Sequence, residues 1–185
     1  MKAEDIQLLK DTVISGKNVN LRIATEKDAE FILELRLDPV LSRFINKTDP
    51  SVEKQRDWLK NTYKKDYDFH FIIEDKNSNP LGTIAVYDID YSKGVAEWGR
   101  WLVKAKSPIY VPIESNLLAI NFAFSELKLN KLIGSAYQKN KEVVKFHKNY
   151  AAITSQDETT IWFAIEKPNF ERVLKIFNTF HSISH

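Results

Sequence analysis

The stretch from Glu97 to Ala152 constrains this chain most, because its apolar spacing alternates between strand and helix periods. Glu97–Val103, EWGRWLV, is short, aromatic and strand-like. Lys104–Ile113 carries Pro108 and Pro112 and reads as a loop. Glu114–Leu127 is built from helix formers, with Leu117, Ile120, Phe124 and Leu127 at helical spacing. Leu132–Tyr137 reads as a second apolar strand. Lys141–Tyr150 reads as a second helix, with Val143, Val144, Phe146 and Tyr150 on or near one face. This order is a βαβα unit, and its two strands are predicted to be parallel with a right-handed crossover. Such units take ligands at the carboxyl ends of their strands, beside a helix N-terminus.

The remainder of the chain supplies a frame. Ala3–Val13 reads as a short helix ended by Gly16 and Asn18, and VNLRIA (Val19–Ala24) alternates like a strand. Thr25 is placed to cap a helix that begins near Asp28, buries Phe31, Ile32 and Leu35, and ends at Asp38-Pro39. Asp49 is expected to cap the next helix, with Pro50 at its first position and Val52, Leu59 and Tyr63 facing inward. Phe69–Asp75 and Leu81–Asp90 read as an antiparallel hairpin turned by KNSNP. A polar link after Ala152 leads to a last strand, Thr159–Glu166, and a helix from Pro168 with Phe170, Val173, Leu174 and Phe177 inward.

With 185 residues, the expectation is one domain, 1–185, with an N-terminal helical extension (1–18) and a C-terminal helix (168–181). A net charge of +2, with scattered Lys and Arg, argues against nucleic acid. The absence of cysteine rules out disulfides, thiolate metal sites and a cysteine nucleophile. No apolar run approaches the roughly 20 residues of a membrane span. MKAEDIQLLKD does not read as a signal peptide, so no membrane partner and a cytoplasmic location are expected.

EWGRWLV, the helix ending in AFSELKLNKL, and Asn140 followed seven residues later by His147 resemble the cofactor-binding half of the GNAT N-acetyltransferases, nearest their RimJ/RimL-like branch. LRLDPVLSRF and SVEKQRDWLKN are similar to the amino-sugar acetyltransferases of that superfamily. The resemblance implies an α/β fold: a mixed, mostly antiparallel sheet flanked by helices, with a parallel βαβ cofactor core. It implies acetyl-CoA as co-substrate and a small-molecule primary amine as acceptor, foremost a nucleotide-linked amino sugar. A protein N-terminus is an alternative acceptor, and a non-catalytic binding module an alternative class. Monomer and homodimer stay open.

The family's phosphate loop carries glycines, whereas the corresponding Ser107–Pro112, SPIYVP, has none. Two prolines remove N–H groups there. The N–H groups of Val111, Ile113 and Glu114 are then the candidates to face an anion. The resemblance sets the cofactor's arm against Trp101, Leu102, Val103, Asn140 and Phe146, and Asn140 equally suits a helix cap.

Acetyl transfer to an amine needs a proton acceptor, and Glu97 at the start of its strand is suited to it, or else is a solvated strand-end residue. His147 stands where the family usually has a tyrosine that protonates the CoA thiolate. An imidazole titrates near neutrality and could donate that proton, or serve structurally. Asp88 and Asp90 can meet a cationic amine or shape a turn. Strand alternation sets Trp98 and Arg100 on one face and Glu97, Gly99 and Trp101 on the other. Arg100 or Trp101 is thus a candidate for the acceptor wall, with Arg36, Arg43, Gln55 and Trp58 from the region where relatives build that site. Tyr137 and Tyr150 read as packing residues. His70, His181 and His185 show no metal-ligand spacing, so no metal is expected.

Overall fold

A computed structural model describes residues 3–182. Its centre is one eight-stranded sheet in the order β1-β2-β3-β4-β5-β6-β8-β7. The strands are β1 Ile14–Ser15, β2 Val19–Ile23, β3 Asp68–Asp75, β4 Pro80–Asp90, β5 Val95–Val103, β6 Lys131–Tyr137, β7 Ala152–Gln156 and β8 Thr160–Glu166. Every neighbouring pair is antiparallel except β5 and β6, which run parallel as the helical crossover between them requires. The helices are α1 Ala3–Asp11, α2 Ala29–Leu37, α3 Val52–Tyr63, α4 Tyr110–Ser125, α5 Lys141–His147 and α6 Lys167–Ser182. His185 and the side chains of Phe177 and His181 lie outside the described residues.

The faces of β3 show how the layers pack. Phe69 and Phe71 meet Phe122 of α4 edge to face, at 5.1 and 5.2 Å between ring centres. Ile72, one step out of phase, packs on the other side with Ile32 of α2 and Leu59 of α3. Period-two alternation therefore feeds two cores, one per face. Each of these fully buried side chains is worth about 1.5–3 kcal/mol in transfer from water. α6 closes the first layer, with Phe170 5.0 Å from Phe124.

Several boundaries differ from the sequence expectation. α3 starts at Val52, because the Ser51 hydroxyl accepts from the Lys54 N–H, while Asp49 receives the Ser51 N–H and the Lys54 ammonium. Asp49-Pro50 thus precedes the cap rather than forming it. α5 stops at His147, leaving Tyr150 in the turn beyond. β7 adds a strand where the sequence reads as a polar link; all five of its residues are exposed at the sheet edge.

α4 begins at Tyr110, four residues ahead of expectation, with Pro112 in its first turn. Proline is tolerated there because a first-turn N–H has no partner within the helix. Its start, Ile109, has no side-chain cap. Glu114 is therefore a full turn inside, with its carboxylate buried against the Asn18 N–H (2.9 Å) and side-chain amide (2.9 Å). It fastens α4 to the β1–β2 turn.

Candidate active site

Two irregularities in β5 shape the site. The first is a fork. β5 pairs with β6 at Val95–Lys131, Ala96–Leu132 and Glu97–Ile133, and the pairing stops there. At the next position Trp98 lies across Gly134, where an added Cβ would stand 3.0 Å from two Trp98 ring carbons. The indole is a wedge that a glycine makes room for, and beyond it the two strands part.

The second is a bulge. Thr83 pairs with Leu102 and Ala85 with Gly99, so Ile84 alone opposes Arg100 and Trp101. Arg100 takes a left-handed backbone (φ 48°), and its carbonyl accepts from the Thr83 hydroxyl at 2.8 Å. The bulge overturns the expected alternation. Trp98 and Trp101 both pack against His147 of α5, at 5.4 and 6.0 Å. Arg100 turns the other way, over the rings of Tyr87 (4.0 Å) and Trp58 (5.1 Å), and pairs with buried Asp68 at 2.7 Å. Burial pushes the Asp68 carboxyl up and the Arg100 hydrogen bond works against it.

A cavity opens on each side of the bulge. One, of about 310 Å³, lies where the strands part; Trp101, Leu102 and Val103 form one wall, and Pro112, Asn140 and Val143 stand at the starts of α4 and α5. Val40–Ile45, around the 3₁₀ turn Leu41–Phe44, borders it and brings in Arg43. Phe146 backs Trp101 at 5.1 Å. At the mouth of α4 the earlier start changes which amides are free. The Val111 N–H donates to Pro108 (2.9 Å), and Ile113 and Glu114 lie past the first turn. The amides left to meet an anion are those of Ile109 and Tyr110. Both side chains are exposed, Ile109 by 81%. An uncapped 16-residue helix opening beside this cavity fits a phosphate-bearing ligand.

The other cavity, of about 380 Å³, lies between the sheet and the α2–α3 layer. Arg36, Gln55, Trp58 and Arg100 line it, together with His70 and Tyr87, whereas Arg43, grouped with the first three in the sequence, lines the first cavity. The Tyr87 hydroxyl would be 3.2 Å from a Cβ on Gly99, so the missing side chain lets the phenol cross β5. Tyr87 pairs with Glu97 across the strands. Burial and the Glu97 charge push its hydroxyl upward. Glu97 is thus beside this second cavity, at its tyrosine end. Asp88 is exposed at a second irregularity of β4, with φ 50°. Asp90 is a turn residue, taking the Ser92 and Lys93 N–H groups and the Lys93 ammonium.

His147 departs from its expected role. It is buried among Trp98, Phe146 and Phe163, and its Nδ1 meets the Tyr150 hydroxyl. Burial takes its pKa down to about 4, so no imidazolium donor is available at neutral pH. Sequence reasoning missed Tyr87 and considered His70 only as a metal ligand. The signal for both was their placement on the two strands that precede β5. Among the described residues, no group of three or more His, Asp or Glu could hold a metal ion, and no helix is long and apolar enough to cross a membrane.

A parallel pair that forks beside a bulge, with a cavity on either side, gives a mixed α/β fold with room for two ligands. Residues 18–170 match the acetyltransferase (GNAT) domain, and the chain belongs to that family. It is 26% identical over 144 residues to the SPbeta prophage-derived uncharacterized N-acetyltransferase YokL of Bacillus subtilis, covering 74% of this chain and 76% of YokL. Apo FdhC, described as a nucleotide-linked sugar GNAT, superposes with a TM-score of 0.81 at 26% identity, over 90% of this chain and 97% of FdhC. A mutant of the spermidine N-acetyltransferase SpeG from Vibrio cholerae shares the fold, with a TM-score of 0.73 at 14% identity over 83% of this chain and 96% of SpeG. The protein is thus an N-acetyltransferase, and its family generally uses acetyl-CoA.

Proposed function

We propose that this enzyme transfers acetyl from acetyl-CoA to the primary amine of a nucleotide-linked amino sugar, by direct attack in a ternary complex. The observation that carries the reading is the bulge, whose consecutive residues Arg100 and Trp101 line the two cavities. The donor's arm lies along Trp101–Val103 towards Asn140, and its pyrophosphate meets the Ile109 and Tyr110 amides with Arg43 nearby. The acceptor comes from the α2–α3 side. Its neutral nitrogen attacks the thioester carbonyl, and the carbon–sulfur bond breaks as CoA leaves. Glu97, beside the Tyr87 hydroxyl, takes the amine proton. His147 holds the two indoles in line rather than giving a proton, and solvent protonates the thiolate. The likeness to FdhC favours the sugar nucleotide as acceptor.

Thermal denaturation with acetyl-CoA tests the donor half. Stabilisation should grow with ligand as RT ln(1 + [L]/Kd). Release of CoA thiol with UDP-glucosamine as acceptor tests the chemistry. Glu97→Gln should lower kcat by about 10²-fold or more while leaving the acetyl-CoA shift intact. A variant as fast as the wild type at every pH would remove Glu97 from proton transfer.

A further inference from the structure

Arg36 is the half-buried cation of the acceptor cavity, and its partners are neutral. Its Nε donates to the Thr48 hydroxyl at 2.7 Å and one Nη to the Asn46 carbonyl at 3.5 Å. Among the described residues no carboxylate pairs with it. The comparison with its neighbours is sharp. Arg22 holds Asp28 at 2.7 Å and Glu74 at 2.6 Å, and Arg100 holds Asp68 at 2.7 Å. A guanidinium withdrawn from water without a counter-ion is costly, and a folded chain keeps one where a ligand completes it.

The cavity around it keeps a net positive charge, because Asp68 offsets Arg100 and no carboxylate among the described residues offsets Arg36. Arg36 and Arg100 both line it, and none of its lining side chains is a carboxylate. Burial and then the Arg100 charge lower the Arg36 pKa. His70, on the same wall, stays neutral for related reasons, first burial and then the charges of Arg100 and Arg36. Thr48, Asn46 and Gln55 add neutral hydrogen-bonding groups around Arg36.

We infer that Arg36 receives an anionic group of the acceptor, so that the enzyme acetylates amines that carry a negative charge elsewhere. The inference rests on the acceptor reading of this cavity and sharpens it. A phosphate or a carboxylate satisfies the guanidinium through two parallel N–H bonds. A polyamine instead brings cations against Arg36, whose charge no carboxylate among the described residues offsets, and like-charge repulsion disfavours that. Sharing a fold with SpeG therefore does not extend to sharing its acceptor.

The test is calorimetric titration of three probes: uridine diphosphate, L-glutamate and spermidine. Saturating CoA is present, so that phosphate sites in the donor cleft are already filled. Wild type, Arg36→Gln and Arg36→Lys are compared, with melting temperatures as a check on folding. Uridine diphosphate is expected to bind the wild type and to lose about tenfold to hundredfold in Arg36→Gln, the range for a charged hydrogen-bonded pair. Arg36→Lys should recover part of it, and CoA affinity should not move. Arg36-dependent binding of glutamate in place of uridine diphosphate would support the inference with a carboxylate as the anion. Equal anion affinity in wild type and Arg36→Gln overturns it, as does the failure of both anions to bind, or tighter binding of spermidine than of either. Failure of CoA to bind the wild type would sink the donor reading alone, because Arg36 lies outside that cavity and the wild type to Arg36→Gln difference still reports on its own site.

Discussion

At the scale of single residues, two imidazoles show how burial sets chemistry here. His70 under the acceptor cavity is held down to about 3, and His147 in the aromatic cluster to about 4. Both are ordinary histidines in the unfolded chain, near 6.5. Below that value the unfolded state binds more protons than the folded one. Their contribution to stability is thus complete above about 6.5 and is lost as pH falls towards 4. Each should remove about 1 kcal/mol per pH unit once the unfolded imidazole is charged. Urea denaturation at pH 7.0, 6.0 and 5.3 checks this in a window where exposed carboxylates stay ionised. The wild type should weaken steadily, and His147→Phe should show roughly half the slope. A flat profile would mean that these rings take up protons in the folded protein after all. In the sequence, a family pattern pointed to Arg36, Arg43, Gln55 and Trp58 as one region; three of them line one cavity, and Arg43 lines the other. Tyr87 was not legible there, since its place opposite Glu97 is set by a register that only the sheet displays.

At the scale of elements, the existence of most helices and strands was legible and their irregularities were not. Leu132–Tyr137 and Glu97–Val103 read as strands from composition alone, and they are parallel as their connection demands. The facing of Trp101 failed, because one left-handed residue, Arg100, adds a step that alternation does not count. β7 stayed invisible because its five exposed residues show no inward side to count. The start of α4 was misplaced because Pro112 looks like a breaker although a first turn accepts it. The fork yields a prediction. Gly134→Ala puts a methyl 3.0 Å from the Trp98 ring and carbonyl, backed by strand and by His147. The loss should be about 1–3 kcal/mol, as for other overpacked cores. Donor affinity should fall with it, because the indole that opens the cleft must shift. Denaturation with acetyl-CoA titration checks both; an unchanged melting temperature would mean that Trp98 is not a fixed wedge.

At the scale of the whole molecule, one cavity lies where β5 and β6 part and the other between the sheet and the α2–α3 layer. With donor and acceptor in these two cavities, as proposed, neither has to leave for the other to enter. Initial rates with both substrates varied should give intersecting reciprocal plots; parallel lines would signal an acetylated enzyme and overturn direct attack. The stretch from Val40 to Thr48 borders both cavities, its first part on the donor side and Asn46 and Thr48 on the acceptor side. We propose that a donor fixing the first part also steadies the second, including the hydroxyl that holds Arg36. The two ligands are then linked in free energy, and linkage is reciprocal. Whatever factor acetyl-CoA adds to the acceptor's affinity, the acceptor must return to acetyl-CoA, so a short strip of chain would make the enzyme hold its donor most firmly once the right amine has arrived.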